Sequence, residues 1–174
     1  MIFSLNRSIE ILSQTPATLQ SLLGGLAEDW TQHNEGPNTW SPYDVLGHLI
    51  HGEKTDWIPR ARIILSETAD KTFVPFDRFA QQNADPDRPL KEFLTKFSDL
   101  RAANLQELKA MNLTEEALNR QGIHPALGPA TLRQLLSTWT VHDLGHIAQI
   151  SRVIAKQYSS EVGPWSAYLG ILKA

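Results

Sequence analysis

The chain has 174 residues, a length that fits one domain with a self-sufficient core, and it contains no cysteine. This composition excludes disulfides, thiolate metal ligands and a sulfur nucleophile from the protein itself. Its 16 Lys and Arg against 19 Asp and Glu give a formal net charge of −3 with no long block of either sign, which argues against nucleic acid or an anionic membrane surface as a partner.

The sequence also argues against a membrane location. No stretch approaches the roughly 20 apolar residues of a membrane span, and the first residues lack the charged start and apolar run of a signal peptide. No repeat, low-complexity tract or break in composition marks a second domain. We therefore expect residues 1–174 to form one domain of a soluble cytoplasmic protein.

Helical periodicity covers four stretches and no run alternates as a strand does, so the sequence predicts an all-α fold. The first predicted helix spans residues 5–26 and is kinked or broken at Thr15-Pro16, where threonine can cap a segment that proline restarts. The second spans residues 41–65. It opens with a capping pattern at Ser41, in which Asp44 is predicted to take part, and it is expected to bend near Pro59.

A long loop separates the second predicted helix from the third. The loop covers residues 66–88, and loops of this length without structure of their own are often functional. The third helix, residues 89–111, has a continuous apolar stripe. Because the loop is long enough for a crossover, the chain need not follow a strict up-down-up-down order.

The sequence of the last third of the chain predicts a short helix capped by Thr114, a loop over residues 122–129 and a fourth long helix. That helix opens with a capping box at Thr131 and extends to residue 156 or 157. The tail around Trp165 is expected to cover one side of the domain. Four helices, each with one apolar face, predict a four-helix bundle.

Three histidines are the candidate site. His142 and His146 lie one helical turn apart within the apolar stripe of the fourth helix, so both imidazoles can converge on one point. His48 lies on an inward face of the second helix. Clustered buried imidazoles are costly unless a divalent cation accepts their lone pairs, so the pattern predicts a metal site that is open to an exogenous ligand. Zinc is the default ion, and nickel suits the same ligands.

Three further residues of the ligand helices could orient a ligating imidazole, namely Glu53, Asp143 and Gln149. The competing interpretation is that they face solvent, as charged helix residues usually do. His51 follows His48 by three residues, so we expect it at the rim of the site or exposed.

The remaining polar candidates carry weaker predictions. His33 and His124 fall in predicted loops and are expected to be solvated, with a pocket mouth as the alternative for His124. Arg60 and Arg62 could bind a substrate carboxylate or form ion pairs. The tryptophans at positions 40, 57, 139 and 165 are expected to be core or cover residues.

The segments Trp40-Ser41-Pro42-Tyr43-Asp44-Val45-Leu46-Gly47-His48 and Trp139-Thr140-Val141-His142-Asp143-Leu144-Gly145-His146 resemble the DinB-like, or YfiT-like, family over nearly the whole chain. The resemblance implies a four-helix bundle of up-down-down-up topology, a homodimer, and a divalent metal held by His48, His142 and His146. It also implies thiol-dependent S-transferase or isomerase chemistry with a small thiol such as bacillithiol, mycothiol or glutathione.

The leading functional hypothesis is therefore a metal-dependent S-transferase in which a low-molecular-weight thiol binds the ion as thiolate and attacks a small-molecule electrophile. A non-enzymatic metal-binding protein is the second hypothesis, and it requires a fourth protein ligand such as Glu53 or His124. Metal-assisted hydrolysis ranks third, because Asp143, Leu144 and Gly145 leave no HExxH-type glutamate between the two histidines.

Overall fold

A computed structural model describes residues 2–80 and 88–173 of the chain. Its helices and strands, in chain order, are α1 (Leu5–Leu23), α2 (Glu28–Gln32), α3 (Pro42–Thr55), α4 (Trp57–Leu65), α5 (Leu90–Ala110), α6 (Glu115–Asn119), β1 (Gln121–His124), β2 (Gly128–Thr131) and α7 (Leu132–Lys156). Two short 3-10 helices follow, at Gly163–Ala167 and Gly170–Leu172. Across the described residues, no helix is both long and apolar enough to cross a membrane.

Helix α1 runs parallel to α7. The Arg133 guanidinium, near the start of α7, lies 5.5 Å from the ring centre of Phe3. Further along both helices, the Thr15 hydroxyl donates to Asp143 at 2.7 Å. Because these contacts follow the same order along α1 and along α7, the two helices run in the same direction.

Helix α5 likewise runs parallel to the α3–α4 pair. Tyr43 packs on Phe93 at the start of both, with ring centres 4.6 Å apart. Near their ends, Arg62 forms a bidentate ion pair with Glu107 at 2.6 Å. The connection from α4 to α5 must therefore cross the length of the bundle, as the predicted loop allows.

Helices α3 and α4 run antiparallel to α7. His48 near the start of α3 lies against His146, with ring centres 4.8 Å apart, whereas Trp57 at the start of α4 stacks on Trp139, earlier in α7. The four directions are therefore up, down, down and up. The predicted all-α four-helix bundle and its up-down-down-up topology are confirmed.

The core consists of two apolar clusters separated by a buried charged layer. Along every long helix, one buried polar residue separates the residues of one cluster from those of the other. On α5, for example, Arg101 lies between Phe97 of one cluster and Leu105 of the other. The layer contains the buried polar side chains Thr15, Glu53, Arg101 and Asp143. Leucines and aromatic rings fill both clusters, so burial of apolar surface on either side stabilises the bundle.

Helix α1 is continuous through Pro16, so of the predicted kink or break at Thr15-Pro16 the break is wrong, and the helix ends at Leu23 rather than at residue 26. A proline in a helix leaves the carbonyl four residues earlier without its usual donor. Here that carbonyl belongs to Leu12, and Arg101 Nη1 donates to it at 2.8 Å. The replacement donor explains why the helix tolerates Pro16, and Thr15 serves the charged layer instead of a cap.

The predicted second helix consists of α3 and α4, which meet at Asp56. The predicted capping box at Ser41 is present: its side chain accepts from the Asp44 N–H, and the Asp44 carboxylate accepts from the Ser41 N–H at 2.9 Å. The interruption lies three residues before Pro59, consistent with the bend predicted near that proline.

The predicted loop over residues 122–129 is instead part of a β-hairpin, and neither strand was predicted from the sequence. Gln121 pairs with Thr131 and His124 with Gly128. Gly128 has a φ of +77°, which glycine adopts without strain, and it closes a three-residue turn. The alternation is too short, and too rich in glycine and proline, to be recognised as a strand pattern.

Residues 71–73 of the predicted loop over residues 66–88 pack against this hairpin. Lys71 and Phe73 exchange backbone hydrogen bonds with Ile123 at 2.9 Å, and the Phe73 ring is buried. Residues 81–87 of this predicted loop, including Pro86, lie outside the described residues. The hairpin and the described part of the loop together form one end of the site.

The C-terminal tail was predicted to cover one side of the domain, and its second 3-10 helix does contact α7, but its own residues stay largely exposed. Trp165 is 70% exposed, and neither 3-10 helix contains a buried residue. By contrast, Trp57 and Trp139 are buried as predicted and Trp40 is half-buried.

We predict that Gly122→Ala destabilises the protein by about 1–3 kcal/mol, because overpacking a filled site forces its neighbours to move. A Cβ at this position would lie 2.3 Å from Phe73 Cε1 and 2.9 Å from Ile64 Cγ1. Urea denaturation measures the change. The matched control is Gly145→Ala in α7, where a Cβ meets nothing within 4 Å, and we expect it to be neutral or stabilising. Equal stabilities for Gly122→Ala and the wild type would contradict the packing described.

Candidate metal centre

Two capped helices carry the three predicted histidines. Helix α3 begins at the capping box of Ser41, and α7 begins at a second capping box in which Thr131 accepts from the Gln134 N–H. Each cap satisfies free backbone donors and fixes where its helix starts. The rotational positions of His48, on α3, and of His142, on α7, follow from these starts.

The structure brings all three histidines together. His142 Nε2 lies 3.1 Å from His48 Nε2 and 3.1 Å from His146 Nε2. One potential ligand atom from each residue lies within 4.8 Å of the other two. The spacing argument for the α7 pair and the prediction of a third histidine on a facing helix therefore agree with the geometry.

Gln149 orients one of these imidazoles, as one of the two sequence interpretations proposed. Its Oε1 lies 2.8 Å from His146 Nδ1. Because a carbonyl oxygen only accepts, Nδ1 carries the proton and Nε2 of His146 presents a lone pair. Nδ1 of His48 and of His142 is buried, with no hydrogen-bond partner among the described residues.

Burial keeps these imidazoles neutral at physiological pH. It lowers the pKa of His48 to about 3 and of His142 to about 3, and the charges of neighbouring histidines act in the same direction. Burial also lowers the pKa of His146, against the opposing effects of Gln149 and Asp143. Three neutral nitrogen donors that face one another fit a divalent ion, which removes the cost of their mutual contact.

Glu53 and Asp143 neither orient an imidazole nor face solvent, so both sequence interpretations of these two residues are wrong. Both are buried and form ion pairs with Arg101, at 2.8 Å for Glu53 and 2.6 Å for Asp143. Trp139 Nε1 also donates to Glu53, and the Thr15 hydroxyl donates to Asp143. These buried carboxylates are paired and hydrogen-bonded, which is the condition for burying charge.

Arg101 was not predicted from the sequence as a functional residue. Arg101 lies four residues after Phe97 and four before Leu105, on the buried stripe of α5. A charged residue at such a position signals a buried partner, and this signal was available in the sequence. Its guanidinium also lies over the rings of Phe97 and Trp139.

A cavity of about 550 Å³ opens beside the histidines. The Trp40 ring lies 4.9 Å from the ring centre of His48, and Phe76 meets His48 edge-on at 5.3 Å. The other residues that line the cavity are Asp56, Arg60, Pro75, Arg78, His124, Pro125 and Ala126. The histidine cluster is therefore accessible to a small molecule through a mixed apolar and cationic pocket.

The other polar residues singled out from the sequence lie either beside the cavity or at the surface. His51 is not part of the metal-ligand group and lies 4.8 Å from the Phe76 ring centre, at the rim. His33 is exposed, with Nδ1 2.6 Å from the Asp29 carbonyl oxygen, whereas the half-buried His124 lines the cavity, which agrees with the alternative prediction of a pocket mouth. Arg62 is ion-paired at the surface.

Comparison with known proteins agrees with this architecture. The family model of the DinB superfamily matches residues 11–150. The chain belongs to the DinB superfamily. Among solved structures it is similar to YfiT from Bacillus subtilis, at 20% identity and a TM-score of 0.74, over 94% of this chain and 91% of that chain. YfiT is described as a probable metal-dependent hydrolase with an unusual four-helix bundle topology, and the likeness shows the fold alone. No curated protein matches.

The neutral histidines predict acid lability of the metal-free protein. His48 and His142 take up protons near pH 3 when folded but near pH 6.5 when unfolded. Unfolding therefore takes up protons between these pH values, and the free energy of unfolding decreases as the pH is lowered. Asp56 acts in the opposite direction, because burial raises its folded pKa to about 6 and the folded state then holds the proton more tightly.

Two histidines outweigh one aspartate, so we expect the free energy of unfolding to be on the order of 2 kcal/mol lower at pH 5 than at pH 7. Urea denaturation of the chelator-treated protein at both pH values measures the difference. His48→Gln should reduce the pH dependence. Greater stability at pH 5 than at pH 7 would contradict the assignment of buried neutral imidazoles.

We predict that Arg101→Gln destabilises the protein by about 3–5 kcal/mol, because it leaves two buried carboxylates without their cation. Arg152→Gln is the matched control, since the Arg152 pair with Glu35 is partly exposed. It should cost no more than about 1 kcal/mol. Thermal or urea denaturation measures both, and similar losses in the two variants would show that the charged layer does not hold the bundle together.

Proposed function

We propose that His48, His142 and His146 bind a divalent metal ion and that this DinB superfamily protein is a metal-dependent S-transferase for a low-molecular-weight thiol. The observation that carries the proposal is the convergence of three imidazole Nε2 atoms at the wall of an open cavity. Three histidine ligands with room for a further one are typical of catalytic rather than structural zinc sites.

The non-enzymatic alternative requires a fourth protein ligand, and the described residues do not favour one. The metal-ligand group found among them has three members. The carboxylate of Glu53, one of the two suggested fourth ligands, already accepts hydrogen bonds from Arg101, Asn104 and Trp139. His124 lines the cavity outside the group. This arrangement supports a site that accepts an exogenous ligand.

Zinc is the first candidate ion, with nickel as the alternative, since both suit imidazole ligands. When bound, such an ion acts as a Lewis acid that favours the deprotonated form of a thiol. The chain contributes orientation through Gln149 on His146 and an apolar wall through Trp40 and Phe76. Apolar side chains exclude water, which strengthens electrostatic interactions at the reacting atoms.

The absence of cysteine is consistent with an external thiol as the sulfur donor. In the proposed transfer, the thiol proton passes to solvent and the sulfur forms a bond to the electrophilic carbon. The leaving group departs with the electrons of its own bond to that carbon. No oxidant or reductant is required.

Metal-assisted hydrolysis is the second candidate, and Asp56 is the observation that favours it. Asp56 lines the same cavity, and burial raises its pKa to about 6 against the opposing effect of Arg60, so it can accept a proton near neutral pH. The description of YfiT as a probable metal-dependent hydrolase points the same way. Thiol dependence of the reaction separates the two candidates.

The proposed reaction is tested by incubating zinc- or nickel-loaded protein with bacillithiol, mycothiol or glutathione and a chromogenic aryl halide. We expect thiol-dependent turnover that His146→Ala reduces to the metal-free background, because one of three ligands is lost. His51→Ala, a nearby histidine outside the ligand group, should retain the wild-type rate.

A rate no higher than that of the metal-free protein with every thiol would contradict the transferase proposal. Thiol-independent cleavage of an ester or amide that is lost in Asp56→Asn would instead support hydrolysis. The homodimer, the cytoplasmic location and the absence of a nucleic-acid partner stay predictions.

A further inference from the structure

The wall of the cavity formed by α4 and the β-hairpin contains two polar side chains that the proposed metal site does not use. Arg60 comes from α4, and His124 comes from the end of β1. Both pack against Phe73, since the Arg60 guanidinium lies 5.2 Å from the centre of that ring and the His124 ring centre lies 6.5 Å from it. The two side chains therefore lie near each other, in the same cavity as the three metal-site histidines.

Arg60 is a buried cation with unused donors. It is 7% exposed, and its guanidinium lies 5.2 Å from the ring centre of Phe73. Its only ionic partner among the described residues is Asp56, whose Oδ1 lies 2.6 Å from Nε, and neither atom makes an aligned hydrogen bond. The terminal nitrogens Nη1 and Nη2 have no partner within residues 2–80 and 88–173. Nε is a buried donor without an aligned acceptor, while the terminal nitrogens are free to donate to an anionic ligand in the cavity that Arg60 lines.

His124 supplies a further donor with a defined tautomer. Its Nδ1 accepts the backbone N–H groups of Ala126 and Leu127, each at 3.1 Å. A ring nitrogen that accepts carries no proton, so the proton of the neutral imidazole lies on Nε2. Burial and the charge of Arg60 lower the pKa of His124, which favours this neutral form. The turn of the hairpin thereby fixes Nε2–H as a donor.

The charge of the cavity selects an anion. Arg60 and Arg78 line it against a single carboxyl group, Asp56, and a divalent ion on the three histidines would add further positive charge. A guanidinium presents its donors in a planar fork that matches the two oxygens of a carboxylate. The cavity, at about 550 Å³, accommodates a small organic acid.

We propose that Arg60 and His124 form a carboxylate-binding subsite, so that a substrate of this protein is a small molecule bearing a carboxylate. Asp56 holds the Nε side of Arg60, and the terminal nitrogens together with His124 Nε2–H bind the carboxylate oxygens. The role of the subsite in a reaction rests on the proposed metal-dependent function, because it would anchor the substrate beside His48, His142 and His146. The binding itself does not depend on the ion.

The test uses succinate as the probe, with its neutral diamide as a control ligand, in titrations followed by ¹H–¹⁵N spectra of the full chain. Zinc-loaded and chelator-stripped protein are titrated in parallel. We expect Arg60→Gln to weaken succinate binding about tenfold or more in both forms, because a charge-assisted bidentate contact is lost. The diamide should bind neither the wild type nor the variant.

The matched control is Arg62→Gln, since Arg62 lies on the same helix but pairs with Glu107 at the surface. It should leave succinate binding unchanged. His124→Phe retains an aromatic ring against Phe73 and should weaken binding about threefold, as expected for one lost hydrogen bond. This variant also decides the question if Arg60→Gln fails to fold.

Succinate affinity equal to wild type in Arg60→Gln, or in His124→Phe where the first variant is unfolded, would overturn the proposal. Equal losses in Arg60→Gln and Arg62→Gln would also overturn it. Zinc content is measured in the same samples. Failure of the zinc to bind, with Arg60-dependent succinate binding intact, would reject the proposed metal-dependent function while leaving the subsite established.

Discussion

The buried cation Arg101 is the interaction on which the rest of this bundle depends. It lies between two apolar clusters, and its guanidinium pairs with Glu53 from α3 and Asp143 from α7. It also donates to the Leu12 carbonyl of α1, which Pro16 leaves without a helical donor. One side chain of α5 thus contacts the other three long helices of the bundle. Because a buried charge is tolerated only when it is paired, this layer allows few relative positions of the helices.

The site inherits its geometry from this layer. Asp143 directly follows His142 in the helical turn that ends at His146, and Glu53 lies on the same helix as His48. The two carboxylates that Arg101 holds are therefore on the two ligand-bearing helices. The layer contains one cation against two carboxylates, which favours additional positive charge nearby. Burial keeps the imidazoles neutral, while the carboxylates next to them compensate the charge of a bound ion. The structure therefore combines neutral donors with a negative background, and this combination suits a divalent metal.

The sequence predicted those features that follow from local patterns and missed those that arise from long-range contacts. Capping boxes and apolar stripes located the helices, and the spacing of His142 and His146 placed both on one face. Nothing local indicates that Arg101 would donate to the carbonyl freed by Pro16, so the continuous α1 was unpredictable. The β-hairpin was missed because its four-residue strands pair with each other and with the preceding loop, which a single-segment pattern does not report. As a result, His124 was assigned to a loop, and its place in the cavity agrees only with the alternative prediction that it lies at a pocket mouth.

The central claim is that the three histidines hold one divalent ion, and metal analysis of purified protein tests it most directly. The wild type and variants with alanine at each histidine are exposed to a zinc and nickel mixture, freed of loose metal by gel filtration and analysed for metal and protein content. We predict one ion per chain in the wild type and a large loss in His48→Ala, His142→Ala and His146→Ala, with His51→Ala unaffected. A wild type without stoichiometric metal, or alanine variants that retain it, would contradict the account.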